Sequence, residues 1–75
     1  MRTKLIEYRG NRSQSQMAII YGVTQQAWSK WENATSAPLP MIMKKIEIDS
    51  GISMEELFPD LFNNLELLKL NTQGR

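Results

Sequence analysis

The chain offers few residues that can do chemistry, and the residue types that are missing narrow its function. It contains no cysteine and no histidine, which excludes thiol nucleophiles, cysteine–histidine zinc sites and Ser-His-Asp triads. Glu55 and Glu56 are adjacent carboxylates, but neighbouring residues of a helix do not face each other. Glu56 is better explained as a capping residue three positions after Ser53. The sequence therefore predicts a protein that is not an enzyme, with no metal, cofactor or small-molecule ligand.

Hydrogen-bonding side chains are concentrated in residues 14–33, QSQMAIIYGVTQQAWSKWEN. In a helix that begins at residue 25, five of them share one side, and none of the five is acidic: Gln25, Gln26, Ser29, Lys30 and Asn33. In the major groove of DNA, glutamine pairs with adenine N6 and N7, and lysine donates to guanine O6 and N7. The same residues also suit a solvated helix surface, so the spacing alone leaves both interpretations open.

Capping residues and apolar spacing predict the helices that position these side chains. Ser13 and Gln16 form a capping-box pattern, and Thr24 is a suitable N-cap for the helix of the polar residues. Pro59 terminates the fifth helix. No run alternates with a period of two, so the expected fold class is an all-α bundle of about five short helices that depend on packing. We expect them over residues 3–9, 14–21, 25–32, 41–50 and 53–58.

The second and third helices are joined by a turn that holds a glycine, which is the helix-turn-helix pattern. Gly22 adopts the backbone conformation of the turn without a Cβ penalty, and a residue as small as Ala18 fits where the helices cross. Trp28 and Trp31 lie opposite the polar side, so we expect them in the core. The alternative is that they stack on bases, as in proteins that bind single strands. The second helix adds apolar residues at helical spacing: Met17, Ala18, Ile20 and Tyr21.

The size and charge of the chain limit its partners. Its 75 residues make one domain at most, with little room for a catalytic cleft beside a core. The net charge of +1 conceals an asymmetry, because residues 1–45 hold seven basic and two acidic side chains, and residues 46–75 hold two and six. This division suggests a basic face for an anionic partner, although ordinary surface charge explains it equally well. No stretch suits a membrane span or a signal peptide, so we expect a cytoplasmic protein.

Residues 13–33 resemble the helix-turn-helix of the phage repressor and Cro family of bacterial regulators, also called the Xre family. The matching residues are Ser13-Gln14, Met17-Ala18, Gly22-Val23-Thr24, Trp28-Ser29 and Trp31-Glu32-Asn33. The resemblance continues through Pro38 to GISMEELF at residues 51–58, and covers about residues 3–58. It implies a lambda-repressor-like DNA-binding domain over residues 1–58 and a C-terminal helical extension and tail over residues 59–75. The implied function is sequence-specific binding of double-stranded DNA by a small transcriptional regulator, a repressor.

The resemblance also implies roles for single residues. Gln14 matches a glutamine that bonds a DNA phosphate and supports the first residue of the recognition helix. Gln25, Gln26 and Lys30 match base-contacting positions, and Asn33 matches a phosphate contact after the recognition helix. The full predicted DNA-binding set is Arg9, Arg12, Gln14, Thr24, Gln25, Gln26, Ser29, Lys30 and Asn33.

The chain departs from the family pattern around the first helix. Ile6 stands where many members have an arginine that pairs with the glutamate matched by Glu32. The partner of Glu32 is therefore open among Arg9, Arg12 and Lys4. Arg12 also occupies a site that is usually apolar, and the two arginines flank the start of the second helix, where we expect them to contact phosphate.

The loop after the recognition helix departs from the pattern too. Ala34 replaces the usual glycine, so we expect the left-handed conformation at Asn33 instead. Pro40 occupies a position that is usually apolar, which predicts a later start for the fourth helix.

Apolar residues are frequent after Pro59, where Asp60 is a suitable cap for a helix over residues 61–70. A recognition helix reads few base pairs, whereas a two-fold dimer reads two half-sites. We therefore expect a homodimer on a palindromic operator, and the alternative is a last helix that folds back on its own core. The predicted interface residues are Leu61, Phe62, Leu65 and Leu68.

A second functional interpretation is a protein-interaction module that keeps this fold without using DNA. An antitoxin that binds its protein partner is one example. The polar, non-acidic side of the third helix argues against this interpretation.

Overall fold

The computed structural model describes residues 1–62 of the chain, which form helices and no strand. The predicted all-α bundle of short helices is confirmed. A further helical stretch begins at residue 59 and continues to residue 62. The elements are α1 (Thr3–Arg9), α2 (Gln14–Tyr21), α3 (Gln25–Glu32), α4 (Pro40–Ser50) and α5 (Met54–Leu57).

The turn between α2 and α3 has the predicted caps. Ser13 Oγ accepts from the Gln16 amide at 3.0 Å, and Gln16 Oε1 accepts from the Ser13 amide at 2.8 Å. Gly22 ends α2 in the left-handed conformation with φ 67°. Thr24 Oγ1 then accepts from the Ala27 amide at 3.0 Å. Three residues therefore join the two helices, and hydrogen bonds define where each helix begins.

The loop after α3 differs from the prediction. Ala34 adopts the left-handed conformation with φ 62°, whereas Asn33 keeps a right-handed helical conformation with φ −85°. The Thr35 amide donates to Lys30 O at 3.0 Å, which closes the helix end as a Schellman motif and holds Ala34 there. α4 begins at Pro40, one residue before the expected start, because the fixed φ of proline suits the first position of a helix and no amide N–H is needed there.

The core is built around two tryptophans, as predicted. Trp28 is fully buried, and its ring centroid lies 5.5 Å from that of Trp31 and 5.6 Å from that of Tyr21. Ala18 is buried on α2, as expected of a small residue at the contact with α3. Ile20, which shares the helical spacing of α2, is 45% exposed, because Met17, Ala18 and Tyr21 already fill the inner side of the helix. The other buried core residues are Leu5, Met17, Ile46, Leu57 and Phe58.

Arg2 is buried, which no sequence pattern predicted. Its guanidinium makes two hydrogen bonds of 2.9 Å to the carboxylate of Asp60. It also donates to the carbonyl oxygens of Trp31 at 2.8 Å and Ser36 at 2.6 Å, and lies 5.0 Å above the ring of Phe58. Arg2 therefore connects the end of α3 to the loop that follows it and to the helical stretch at residue 59. One of the basic charges of residues 1–45 is consequently not available to a partner.

The segment after α5 also differs from the prediction. The helical stretch begins at Pro59, so Pro59 starts a helix, and Asp60 lies inside it with its carboxylate bonded to Arg2. Leu61 and Phe62 are partly buried and pack against the core of their own chain, as the fold-back alternative expects. Leu65 and Leu68, the other two predicted interface residues, lie outside the described residues.

Ser53 caps α5 as predicted, since its hydroxyl accepts from the Glu56 amide at 3.2 Å. The Glu56 carboxylate accepts from this hydroxyl and not from the Ser53 backbone, so the capping box is only half formed. Among residues 1–62 we find no group of carboxylates suited to hold a metal ion. No helix in the same part of the chain is long and apolar enough to cross a membrane.

Candidate nucleic-acid interface

α3 turns a polar side to solvent. Gln25, Gln26 and Lys30 are exposed, Ser29 is partly exposed, and the four side chains border one open depression of the surface. The tryptophans of α3 are buried on its other side. Within the described part of the chain, the side chains of Gln26 and Lys30 make no hydrogen bond or ion pair. Their amide and ammonium groups are therefore free to bind a ligand.

Glu32, the acidic residue of α3, is buried and fixes the end of the helix. Arg9 donates to both carboxylate oxygens, at 2.6 and 3.2 Å, and Gln14 Nε2 donates at 3.0 Å. The indole N–H of Trp28 donates at 2.5 Å. Burial alone would raise the pKa of Glu32, but these donors outweigh it and hold the pKa below the usual 4.5. Of the three candidate partners, Arg9 is the one that pairs with Glu32. The one carboxylate of α3 is therefore buried and does not lie on the solvent side of the helix.

Arg9 and Arg12, for which the sequence predicted phosphate contacts, are hydrogen-bonded to other groups of the chain. Besides its two bonds to Glu32, Arg9 donates through Nη1 to Arg12 O at 3.0 Å. Arg12 donates to Tyr8 O at 2.7 Å and Arg9 O at 3.2 Å, with its guanidinium 5.0 Å above the Tyr8 ring. The C-terminal end of a helix has free carbonyl oxygens and a partial negative charge, and both attract cations. The end of α1 therefore holds the two guanidinium groups in place. Arg12 thus stabilises the C-terminal end of α1, and Arg9 stabilises the C-terminal end of α3 through Glu32.

The first two residues of α2 contact opposite ends of α3. Gln14, predicted to support the first recognition residue, donates instead to Glu32 at the far end. Ser15 takes the predicted supporting role, because its Oγ donates to Gln25 Oε1 at 3.1 Å. Successive residues of a helix point about 100° apart, so one residue cannot reach both ends. Sequence reasoning missed Ser15, since a serine in the first turn of a helix is common for other reasons.

Thr24 and Asn33 lie exposed at the two ends of α3. The Thr24 hydroxyl accepts the Ala27 amide and keeps its own proton for donation. Asn33 donates its backbone amide to Ser29 O at 3.0 Å, and its side-chain nitrogen lies 3.5 Å from Ser29 Oγ. Both side chains are accessible beside the polar side of α3.

The chain was compared with protein-family models, with curated proteins and with solved structures, and none matches it. Its function must therefore be inferred from the side chains of α3 and from the helices that hold them.

Proposed function

We propose that the protein is a small cytoplasmic regulator of transcription, a repressor, that binds double-stranded DNA sequence-specifically. The solvent side of α3 is the observation that supports this most, because it presents amide, hydroxyl and ammonium groups and no acidic group. The major groove admits an α-helix, and its base edges carry the donors and acceptors that glutamine and lysine recognise. The resemblance of residues 13–33 to the phage repressor and Cro family supports the same proposal.

The way α3 is held also favours base reading. A recognition side chain discriminates between bases only if its backbone is held in place. Trp28 fixes the inner side of α3 in the core, and Glu32 binds its end to α1 and α2. The Thr24 cap fixes its beginning. Gln26 and Lys30 therefore project from a firmly supported helix.

Binding of a protein partner is the second candidate function, and exposed apolar residues of α4 favour it. Met41 and Ile48 lie seven positions apart, hence on one side of α4, and are 85% and 68% exposed. Exposed apolar side chains often mark a surface that another protein covers. A toxin bound to its antitoxin is one example of such a partner. Salt distinguishes the two functions, since DNA binding weakens log-linearly with salt concentration and an apolar contact does not.

Selection of binding sites from random double-stranded DNA tests the proposed function. We expect an enriched consensus sequence, bound about 10³-fold or more tightly than random DNA. The affinity for both is expected to fall as salt rises. A protein that enriches no sequence, and whose binding to DNA is absent or independent of salt, would contradict the proposal and favour the protein partner.

Replacing Gln26 or Lys30 by alanine is expected to cost about 1–3 kcal/mol of binding free energy on the selected site and to relax the base preference there. Both side chains are exposed and unbonded among the described residues, so their loss leaves the fold unchanged. Fluorescence anisotropy on selected and random duplexes measures the effect. Lys44→Ala is the control, because this exposed lysine of α4 pairs with Glu47 at 3.0 Å and lies off the recognition helix. Equal losses on selected and random DNA would show that Gln26 and Lys30 do not read bases.

We further propose a homodimer that binds a palindromic operator with half-sites about 34 Å apart. Because Leu61 and Phe62 pack on their own core, the interface is expected further along the chain, around Leu65 and Leu68. Sedimentation at micromolar concentration should show a dimer, and Leu65→Glu should yield a monomer with weaker DNA binding. A wild-type monomer, together with unchanged DNA affinity of Leu65→Glu, would contradict the dimer and leave the DNA proposal intact.

A further inference from the structure

We propose that the solvent side of α4 is a docking surface for an acidic amphipathic helix of a partner protein. This surface lies on a different helix from the proposed DNA interface, so the inference holds with or without DNA binding. It also gives the chemical class of the partner that the exposed residues Met41 and Ile48 favour.

Four side chains make up the solvent side of α4. They follow the spacing i, i+3, i+4 and i+7, which places them on one side of a helix, and they are Met41, Lys44, Lys45 and Ile48. All four are exposed, whereas Ile46 is fully buried on the other side of α4. The lysines lie between the two apolar residues along the helix, so the surface has apolar ends and a basic centre.

The two carboxylates of α4 flank this surface and are bound to other elements. Glu47 Oε2 accepts a hydrogen bond from the Met54 amide at 2.9 Å, at the start of α5. Asp49 Oδ2 accepts a hydrogen bond from the Tyr21 hydroxyl of α2 at 3.0 Å. Because these oxygens are already occupied, the flanking carboxylates do not fully neutralise the lysines of the surface.

Both lysines keep donors for a ligand. Lys44 Nζ donates to Glu47 Oε1 at 3.0 Å. This pair is exposed and therefore weak, and an ammonium group has three donors, so Lys44 can bind a second carboxylate. Lys45 Nζ makes no hydrogen bond among the described residues and lies 5.8 Å from the centroid of the Tyr21 ring. The basic centre of the surface is thus complementary to an acidic ligand.

The apolar ends of the surface determine the shape of the partner. Met41 is 85% exposed and Ile48 is 68% exposed, and seven residues of a helix span about 10 Å. A second helix that packs along α4 presents apolar residues at the same interval of seven. Such a helix covers both apolar side chains and brings the residues between its own apolar positions to the lysines. Carboxylates at those positions complete the contact.

The described part of the chain does not supply such a helix itself. α5 is its most acidic helix, with Glu55 and Glu56, but it has four residues and its Leu57 is buried in the core of its own chain. Residues 63–75 hold one acidic and two basic side chains, a charge that does not complement two lysines. The occupant is therefore a separate protein and not a second copy of this chain.

Titration of the isotope-labelled full chain with synthetic peptides, followed by nuclear magnetic resonance, tests the inference. The probe is a helical peptide with two leucines seven residues apart and glutamates between them. The comparison peptide has lysines in place of the glutamates. We expect the glutamate peptide to shift the amide signals of residues 41–48 and to bind about 10-fold more tightly than the lysine peptide. The signals of residues 25–32 should not change.

Matched variants identify the side chains responsible. Lys44→Glu combined with Lys45→Glu should weaken binding of the glutamate peptide by about 10-fold and strengthen binding of the lysine peptide, which also shows that the variant is folded. Ile48→Ala should weaken binding of the glutamate peptide by about 5-fold, because it removes apolar contact area. Two controls should leave the affinity unchanged. Lys4→Glu alters an exposed lysine of α1 in an ion pair of the same spacing, and Ile19→Ala alters a 79% exposed residue of α2.

The outcomes separate this inference from the DNA proposal and from other occupants. If neither peptide shifts residues 41–48, or if both bind equally well, the inference is refuted and the DNA proposal, which is tested on α3 with duplex DNA, stands. Shifts confined to α3 would refute it as well, since the acidic peptide would then imitate DNA. Binding to vesicles of phosphatidylcholine and phosphatidylserine without binding of the peptide would identify a lipid surface instead. If Leu65→Glu binds the peptide and the wild type does not, the end of the chain covers α4 and no separate protein docks there.

Discussion

Replacing Trp28 by alanine is expected to lower the free energy of unfolding by about 3–5 kcal/mol. Trp28 is fully buried, with the rings of Tyr21 and Trp31 at centroid distances of 5.6 and 5.5 Å. The substitution leaves a cavity between these rings and removes the indole donor of Glu32. Proteins of 75 residues have a total stability of about 4–11 kcal/mol, so the variant loses a large share of it. Trp31→Ala, at 5% exposure, should have an effect of similar size.

Chemical denaturation followed by circular dichroism measures this loss. Ile48→Ala is the matched control, because Ile48 is apolar, helical and 68% exposed, and its truncation should change stability by less than about 0.5 kcal/mol. A Trp28→Ala or Trp31→Ala variant that is as stable as the wild type but has lost nucleic-acid binding would contradict the core assignment. Stacking of the indole on a base would then be the better explanation.

The helices around the recognition residues were predictable because their signals are local. Ser13, Gly22 and Thr24 act on backbone groups within four positions, so the bounds of α2 and α3 follow from the sequence. The polar side of α3 was predictable for the same reason, since helical spacing places Gln26 and Trp28 on opposite sides of the helix. The error at Ala34 is also local. The left-handed conformation was expected at Asn33, but the hydrogen bonds that close α3 place it at Ala34.

The contacts between distant residues were not predictable from the sequence. Arg2 and Asp60 are separated by 58 positions, and nothing near either residue indicates that the arginine is buried. Arg9 and Arg12 were expected to contact phosphate because they flank the start of α2. The carbonyl oxygens at the end of α1 and the buried carboxylate of Glu32 attract them instead. A long, flexible cation can reach several acceptors, and only the packed fold decides which one it contacts.

Replacing Glu32 by alanine is expected to lower the free energy of unfolding by about 3 kcal/mol. Breaking a buried ion pair costs about 3–5 kcal/mol, and we expect the lower value because Arg9 is partly exposed. The variant leaves Arg9 and the indole N–H of Trp28 without their acceptor and frees the end of α3. DNA affinity should therefore fall as well, even where the variant is still folded. Glu7→Gln is the control, since Glu7 and Lys4 form an exposed pair at 3.5 Å that contributes less than about 1 kcal/mol. An unchanged stability of Glu32→Ala would contradict the structural role of this carboxylate.

The pH dependence of the free energy of unfolding shows how much of the stabilisation by Glu32 depends on its negative charge and how much on the shape of its side chain. Arg9, Gln14 and Trp28 lower the pKa of the buried carboxyl below 4.5, and hydrogen bonds from Arg2 lower the pKa of Asp60 below 3.8. A carboxyl whose pKa is lower in the folded state stabilises the protein above its unfolded pKa, and this stabilisation is lost as the pH falls through the folded value. The free energy of unfolding should thus be steady above pH 4.5 and decrease below it. Glu32→Gln should be less stable than the wild type at pH 7 and show a shallower decrease in acid. The remaining slope is due to Asp60 and to Glu47, whose pKa is lowered by the hydrogen bond from the Met54 amide. If Glu32→Gln kept the full acid dependence of the wild type, the ionised form of Glu32 would not be what holds the end of α3.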